Sequence, residues 1–280
     1  MRYRRYLGKR YHGWIDPEFS PPEQLLETPE KAGELPGAEL VLDCRGRQIF
    51  RTPLTFQETP HSCFTYYFKN NSVSRSLRSC YALQSLEISE KLRDQGFGTL
   101  EVLAAVKKKD EWLNWHSLLI AREIQSVAEI ASQGSHVYQV HPAVELSTAL
   151  AEQLAEELVR FHARGFFHGD LKTRHILVRR NISTRFFFVD LEKCRRLPHL
   201  PGFLKDILTA RDLIQVLTSL SGTFTTSDPL VRHFLECYLE AAGLPLDPSP
   251  RLVKMINLYS QEGPLSQGRT VLGGLLRSSK

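Results

Sequence analysis

The sequence predicts an α+β fold in two lobes, an N-terminal antiparallel β-sheet lobe with one main helix and a C-terminal, mostly helical lobe. Three observations predict it. The first half carries short apolar and aromatic runs bounded by turn formers, the second half carries amphipathic helical periodicity, and two aspartates separated by a strand–turn–strand pattern fall just after the change of character.

Taken in order, residues 1–37 hold the turn-rich stretches "DPEFSPP" and "ELPG" and read as an irregular leader with one short helix around Pro22–Leu26. From Ala38, "AELVLDCRGRQIFRTPLTF" gives two strands around a turn at Arg45–Arg47. "CFTYYFK", Cys63–Lys69, is the strongest strand of the first half. In "LRSCYALQSLEISEKLRDQG", Leu83, Leu86 and Leu92 form a helical stripe that Gly96 stops. "LEVLAAVKKKDEWLNWHSLLIARE" reads as a hairpin with a charged turn. "STALAEQLAEELVRFHARG" is an amphipathic helix with Ser147 as N-cap and Gly165 as stop. Two short strands follow, "HILV" at 175–178 and "RFFFVDL" at 185–191, joined by "RRNIST". Helices are expected at Phe203–Leu220, Pro229–Ala242 and about Pro250–Tyr259, and "GPLSQGRTVLGGLLRSSK" reads as a loosely held tail. The expected organisation is a leader over 1–37, an N-lobe over 38–123, a C-lobe over 124–262 and a tail over 263–280.

The chain has 280 residues, 42% hydrophobic and 24% charged, which is ordinary globular composition. Its net charge of +5 suits an anionic partner such as a nucleotide, a phosphorylated sugar or a membrane surface, without selecting among them. Five scattered cysteines with no CxxC pair suggest neither a zinc site nor a disulfide framework, and reduced thiols in a cytosolic protein are the simplest reading. The opening "MRYRRYLGKRYHGW" lacks the apolar core of a signal peptide, and no uninterrupted apolar stretch is long enough to span a membrane.

Phosphoryl transfer asks a protein mainly for positioned charges: a carboxylate near the attacking hydroxyl, another for Mg²⁺, and a lysine for the nucleotide phosphates. Asp170 lies in a loop between a long helix and a strand, Asp190 follows twenty residues later at the end of "FFFV", and Lys69 ends "FTYYF". "HGDLKTRHIL" resembles the "HRDLKxxNIL" loop of protein kinases and the "HGDL" loop of small-molecule kinases, and "FVDLEKCR" resembles the magnesium-binding segment that follows it. The pair, with "GWIDPEF", "LVRFHARGFFHGDL" and "ARDLIQVLTSLSG…FLECYLEAAG", most resembles the bacterial lipopolysaccharide core kinases that phosphorylate Kdo or heptose sugars. In that family a histidine stands where protein kinases have asparagine, as His175 does here.

The resemblance implies a two-lobed protein-kinase-like fold, ATP and Mg²⁺ as cofactors, and an anionic glycolipid or sugar acceptor on the cytoplasmic side of the inner membrane. It implies that Asp170 orients or deprotonates the acceptor hydroxyl and that Lys172 offsets γ-phosphate charge. Asp190 is the expected Mg²⁺ ligand, and His175 either ligates metal, bonds to Asp170 or packs. Lys69 is expected on the α- and β-phosphates. Counting places its helix partner near Ser85, and Glu87 is taken as the nearest carboxylate. Glu123 is expected at the hinge beside adenine. "DCRGRQIF" offers one glycine where a phosphate loop has three, "GFG" at 96–98 reads as a helix stop, and "KCRRLPHLPGFLKD" leaves little room for a peptide-docking loop. Arg174, Arg195 and Arg196 suit an anionic acceptor, and the N-terminal Arg, Lys and aromatic residues suit peripheral contact with inner-membrane headgroups. No nucleic-acid partner is expected. Two alternatives stand beside this reading: a kinase of another small molecule or of proteins, and a nucleotide-binding module without catalysis.

Overall fold

A computed structural model describes residues 2–44, 46–56, 59–69, 80–108, 116–131, 141–181, 183–221 and 229–244. It divides the chain into two compact units: Met1–Ala128 with His136–Pro142 and Val178–Glu192, and Glu129–Ser135 with Ala143–Leu177 and Lys193–Lys280.

In the first unit the strands are β1 (Arg4–Leu7), β2 (Tyr11–Ile15), β3 (Glu39–Cys44), β4 (Arg47–Phe56), β5 (Thr59–Lys69), β6 (Gly98–Thr99), β7 (Glu101–Lys108) and β8 (His116–Arg122), with helices α1 (Glu23–Glu27) and α2 (Tyr81–Asp94). Seven of the strands form one sheet in the order β1-β2-β7-β8-β5-β4-β3, every neighbouring pair antiparallel. Side chains alternate across it. Leu118 and Ile120 of β8 pack with Tyr11, Ile15, Phe56 and the α1 residues Leu25 and Leu26, while Leu119 and Ala121 pack with Phe68, Val102 and the α2 residues Ala82 and Leu86. Because the central strands are buried on both faces, "EVLAAV" and "HSLLIA" read as continuous apolar runs rather than alternating ones.

The N-terminal stretch differs from an irregular leader. Its β2 lies against β7, with Tyr11 opposite Lys108 and Ile15 opposite Ala104, so residues 4–15 extend the sheet. Gly13 permits the approach, since a Cβ there would stand 2.1 Å from the carbonyl oxygen of Ala105. The short helix expected near Pro22–Leu26 is α1. Among the described residues no helix is long and apolar enough to cross a membrane.

Gly96 does more than stop α2. With φ of +77° it sets a Schellman turn, in which the Phe97 N–H donates to the Leu92 carbonyl at 3.0 Å and the Gly96 N–H to Arg93 at 2.9 Å. The chain then enters β6, which pairs in parallel with β13 (Thr184–Phe188), itself beside β12 (Ile176–Arg180). "GFG" is therefore the support of the strand that leads to Asp190.

The second unit holds β9 (Ala128–Ile130) beside β10 (Ala143–Val144), α3 (Thr148–Ala163), β11 (Phe166–Phe167), β14 (Arg195–Arg196), α4 (Gly202–Ser221) and α5 (Pro229–Ala241). Ser147 caps α3, its Oγ accepting from the Leu150 N–H at 3.3 Å. Gly165 follows the helix with φ of +76°, and a Cβ there would lie 2.7 Å from the Pro198 Cα. That glycine lets β11 pair with β14, Phe166 opposite Arg196 and Phe167 opposite Arg195. Across α3 and α5, His233 Nε2 meets Glu152 Oε1 at 3.1 Å. The helix expected at Pro250–Tyr259 and the tail lie outside the described residues.

Candidate active site

The sequence-predicted residues fall into two groups. Asp170, Lys172, Arg174, His175, Arg195 and Arg196 belong to the second unit, and Lys69, Glu87, Glu123 and Asp190 to the first.

The loop carrying Asp170 runs from β11 into the short 3-10 turn Thr173–His175. Gly169 begins it at φ of +76°, a backbone state that glycine adopts without strain. One face of α4 then holds the loop through its backbone. Asp212 accepts from the N–H groups of His168 at 2.6 Å and Gly169 at 2.8 Å. Gln215 accepts from Leu171 N–H at 2.8 Å, Ser219 from Thr173 N–H at 2.9 Å, and Arg211 donates to the Gly169 carbonyl at 2.6 Å. Positions 212, 215 and 219 are spaced three and four apart, so one helical stripe addresses successive loop amides. Sequence reading missed all four. All four lie in "ARDLIQVLTSLSG", a segment that carried part of the family resemblance but gave no sign of these contacts.

The Asp170 carboxylate is gripped at both oxygens. Lys172 Nζ lies 3.1 Å from Oδ1, and Lys193 Nζ lies 2.5 Å from Oδ2. Burial alone would raise its pKa, but the Lys193 hydrogen bond and the charges of Lys193 and Lys172 hold it well below the usual carboxylate range. Asp170 is therefore an ionised acceptor of hydrogen bonds across neutral pH. Lys193 stands in "FVDLEKCR" but was given no role of its own, because the β11–β14 pairing that brings it to Asp170 has no local signature.

His175 is buried, with 6% of its surface exposed. Its Nδ1 donates to the Asp170 carbonyl at 2.7 Å, and its Nε2 accepts from Arg174 Nε at 3.3 Å. Its ring also stacks on His168 with centroids 5.9 Å apart. Of the three roles left open for it, the structure gives it a hydrogen bond to the Asp170 backbone together with packing. Arg195 is exposed and donates to the Cys194 carbonyl, while the Arg196 guanidinium lies over the Phe166 ring.

In the first unit, the backbone N–H of Lys69 donates to the Gly46 carbonyl at 2.6 Å, which fixes the end of β5 to the β3–β4 turn. The next residue, Arg47, places one nitrogen, Nη1, 2.7 Å from Asp190 Oδ1 and 2.5 Å from Glu192 Oε1. Asp190 itself has φ of +60°, a left-handed conformation that costs a non-glycine residue energy and is concentrated at functional positions. Burial and the neighbouring Asp190 push the Glu192 carboxyl up to about 7, against the pull of Arg47. Two carboxylates already converge on one cationic nitrogen, so the donor set fits a hard divalent cation.

Glu87 and Glu123 both have partners within the first unit. Glu87 is exposed, and its carboxylate pairs with Lys91 one turn along α2, a solvated i,i+4 pair. The position nearer the expected partner, Ser85, is buried and carries no charge, and among the described residues no ion pair joins Lys69 to a carboxylate. Glu123 turns its carboxylate onto Arg51 at 3.0 Å, and its backbone N–H donates to Ser62.

Lys193→Met tests the two-lysine grip. Removing one of the charges that favour ionised Asp170 lets burial act, so the acid limb of the pH–rate profile moves to higher pH. An unchanged limb sinks the assignment.

The sheet with its flanking α2 and the aspartate loop carried by a helical unit define a protein-kinase-like fold. Residues 62–238 match the lipopolysaccharide kinase (Kdo/WaaP) family, and the chain belongs to that family and is a kinase. Among solved structures it is similar to WaaP in complex with acyl carrier protein, with a TM-score of 0.58 and 18% identity over 92% of this chain and 98% of that one. It is more loosely similar to the Rio2 kinase–ADP/Mg²⁺–phosphoaspartate complex of Chaetomium thermophilum, with a TM-score of 0.43 and 13% identity over 93% and 81% of the two chains. No curated protein matches it.

Proposed function

We propose that this kinase transfers the γ-phosphoryl group of ATP to a hydroxyl of a Kdo or heptose sugar in the lipopolysaccharide inner core. The observation that carries the reading is the Asp170 carboxylate, kept ionised by Lys172 and Lys193 on a loop that α4 holds by its backbone. An acid this strong is a weak proton base. It orients the acceptor hydroxyl by accepting its hydrogen bond; as the hydroxyl oxygen bonds to the γ-phosphorus, the bond to the ADP oxygen breaks and the hydroxyl proton is released to solvent. Lys172 is close enough to Asp170 to share its charge with an incoming phosphoryl oxygen.

Lys69 is the residue for the nucleotide phosphates, supported by its place at the end of β5 beside the Gly46 turn. Asp190 would hold Mg²⁺, which when bound neutralises charge on the β- and γ-phosphates. The exposed Arg174 and Arg195 suit the carboxylates and phosphates of an inner-core acceptor. Arg4, Arg5, Lys9 and Arg10 are exposed on and beside β1, next to Leu7 with 62% of its surface exposed. That mixture suits peripheral contact with anionic headgroups of the inner membrane.

Labelled ATP offered with core oligosaccharide, free sugars and a generic protein discriminates among acceptors. Label is expected in the oligosaccharide. Label in the protein alone overturns the reading, and binding of ATP with no transfer to any of the three favours a nucleotide-binding module instead.

A further inference from the structure

We propose that Glu152, His233 and Cys237 form a binding site for a soft divalent cation of the Zn²⁺ class, which fastens α3 to α5 within the second unit. It shares no residue with the site read for Mg²⁺ and asks for a different kind of ion.

Three observations carry it. First, three donors of different kinds converge. His233 Nε2 lies 3.1 Å from Glu152 Oε1 and 3.6 Å from Cys237 Sγ, and one ligand atom from each residue lies within 4.8 Å of the other two. Second, the spacings are those of ligands sharing one ion. Tetrahedral zinc, with bonds of about 2.0 Å to nitrogen, about 2.1 Å to oxygen and about 2.3 Å to sulfur, sets nitrogen and sulfur about 3.6 Å apart and nitrogen and oxygen about 3.4 Å apart. The Nε2 to Sγ distance matches, and the Nε2 to Oε1 distance is slightly short. Glu152 is exposed, so its carboxylate can turn to set both of its own spacings.

Third, the helices hold the donors in place. His233 and Cys237 are four residues apart on α5, so one turn presents both on one face. Glu152 comes from α3, and the buried pair His162 and Tyr238 joins the same two helices, Nδ1 to hydroxyl at 2.8 Å. The donors therefore stand on elements already fixed against each other. Thiolate and imidazole select zinc and its soft neighbours, whereas Mg²⁺ and Ca²⁺ take oxygen. Burial and the charges of Glu152, Glu240 and Glu236 disfavour a bare thiolate at Cys237, and a divalent cation offsets those charges. Binding breaks the S–H bond, forms the sulfur–metal bond and releases the proton to solvent. Water completes the fourth position.

Titration of the full-length reduced protein with Co²⁺ tests this without reference to turnover, since a thiolate on cobalt gives a charge-transfer absorption band. One Co²⁺ per chain is expected, with the band present and with Zn²⁺ displacing it. Cys237→Ser is expected to lose the band. His233→Gln and Glu152→Gln are expected to weaken binding by about 100-fold and about tenfold, the range that loss of a ligand's supporting group alone already costs. None of the three side chains is buried, so the variants keep the fold, which circular dichroism checks. Zn²⁺ at a hundredfold excess over its dissociation constant is expected to raise the melting temperature by about 5 °C. A band that survives Cys237→Ser overturns the proposal, because the thiolate then belongs to another cysteine. Glu152→Gln binding like the wild type also overturns it, because α3 then contributes no ligand. No binding at one ion per chain leaves Glu152 and His233 an ordinary ion pair and overturns it as well. Should Cys237→Ser fail to fold, His233→Gln decides, and an unchanged affinity there sinks the site.

Discussion

Asp170→Asn lowers phosphoryl transfer by about 10³-fold, the scale on which a positioned acid–base group contributes, and leaves ATP binding in place. The substitution keeps the volume of the side chain but removes its charge and one of its two acceptor oxygens. Lys172 and Lys193 then face a neutral amide at 3.1 Å and 2.5 Å, and each turns toward solvent or toward an anionic substrate. Single-turnover kinetics separate the two effects, since a loss confined to the chemical step appears in the rate at saturating ATP. Activity within tenfold of the wild type would remove Asp170 from its role. The pH dependence follows from the same grip. The Asp170 value lies below its ordinary 3.8, so its contribution to stability is present above that pH and is lost only as the pH falls through the depressed value.

Asp212→Ala destabilises the second unit by about 3–5 kcal/mol, because it orphans two N–H donors, that of His168 fully buried, and removes a buried carboxylate from its network. Asp212 has no exposed surface, accepts from His168 and Gly169, and lies 3.5 Å from His162 Nε2. Asp212→Asn keeps one acceptor oxygen and is expected to lose about half as much. Thermal melting of both variants checks the order. At a temperature where Asp212→Asn remains folded, its transfer rate should still fall, because the Asp170 loop loses one of its two anchors to that side chain. A melting curve like that of the wild type for Asp212→Ala would refute the account.

Much of the first unit was legible because its signals are local. A stretch such as "HSLLIAR" declares a buried strand by composition, and Gly96 declares the end of α2 by its missing side chain. Ser147 likewise marks the start of α3 by the hydroxyl that caps it. Residues 4–15 were not legible as strands. Their pattern of arginines and tyrosines is that of a basic arm, and only pairing with β7, some ninety residues further along, shows that Tyr11 and Ile15 are core.

The site divides the same way. Asp170, Lys172 and Asp190 stand in contiguous motifs whose residue types suit phosphoryl transfer, so they could be proposed from the sequence. Glu87 was taken from its position on the expected helix, and the helix was right. The side chain nonetheless points to solvent, because at 3.6 residues per turn Glu87 falls between the buried positions Leu86 and Ile88.

The sequence by itself determined the kinase reading, because "HGDLKTRHIL" and "FVDLEKCR" hold in contiguous runs the residues that the family resemblance ties to phosphoryl transfer. Tertiary structure decided which groups hold those charges in place. Lys193 reaches Asp170 through a pairing of two-residue strands, Asp212 reaches the same loop from a helix more than forty residues away, and Arg47 meets Asp190 across 143 positions. Such partners leave no local trace because a hydrogen bond or ion pair constrains distance in space, and sequence separation enters only through the entropy of closing the loop.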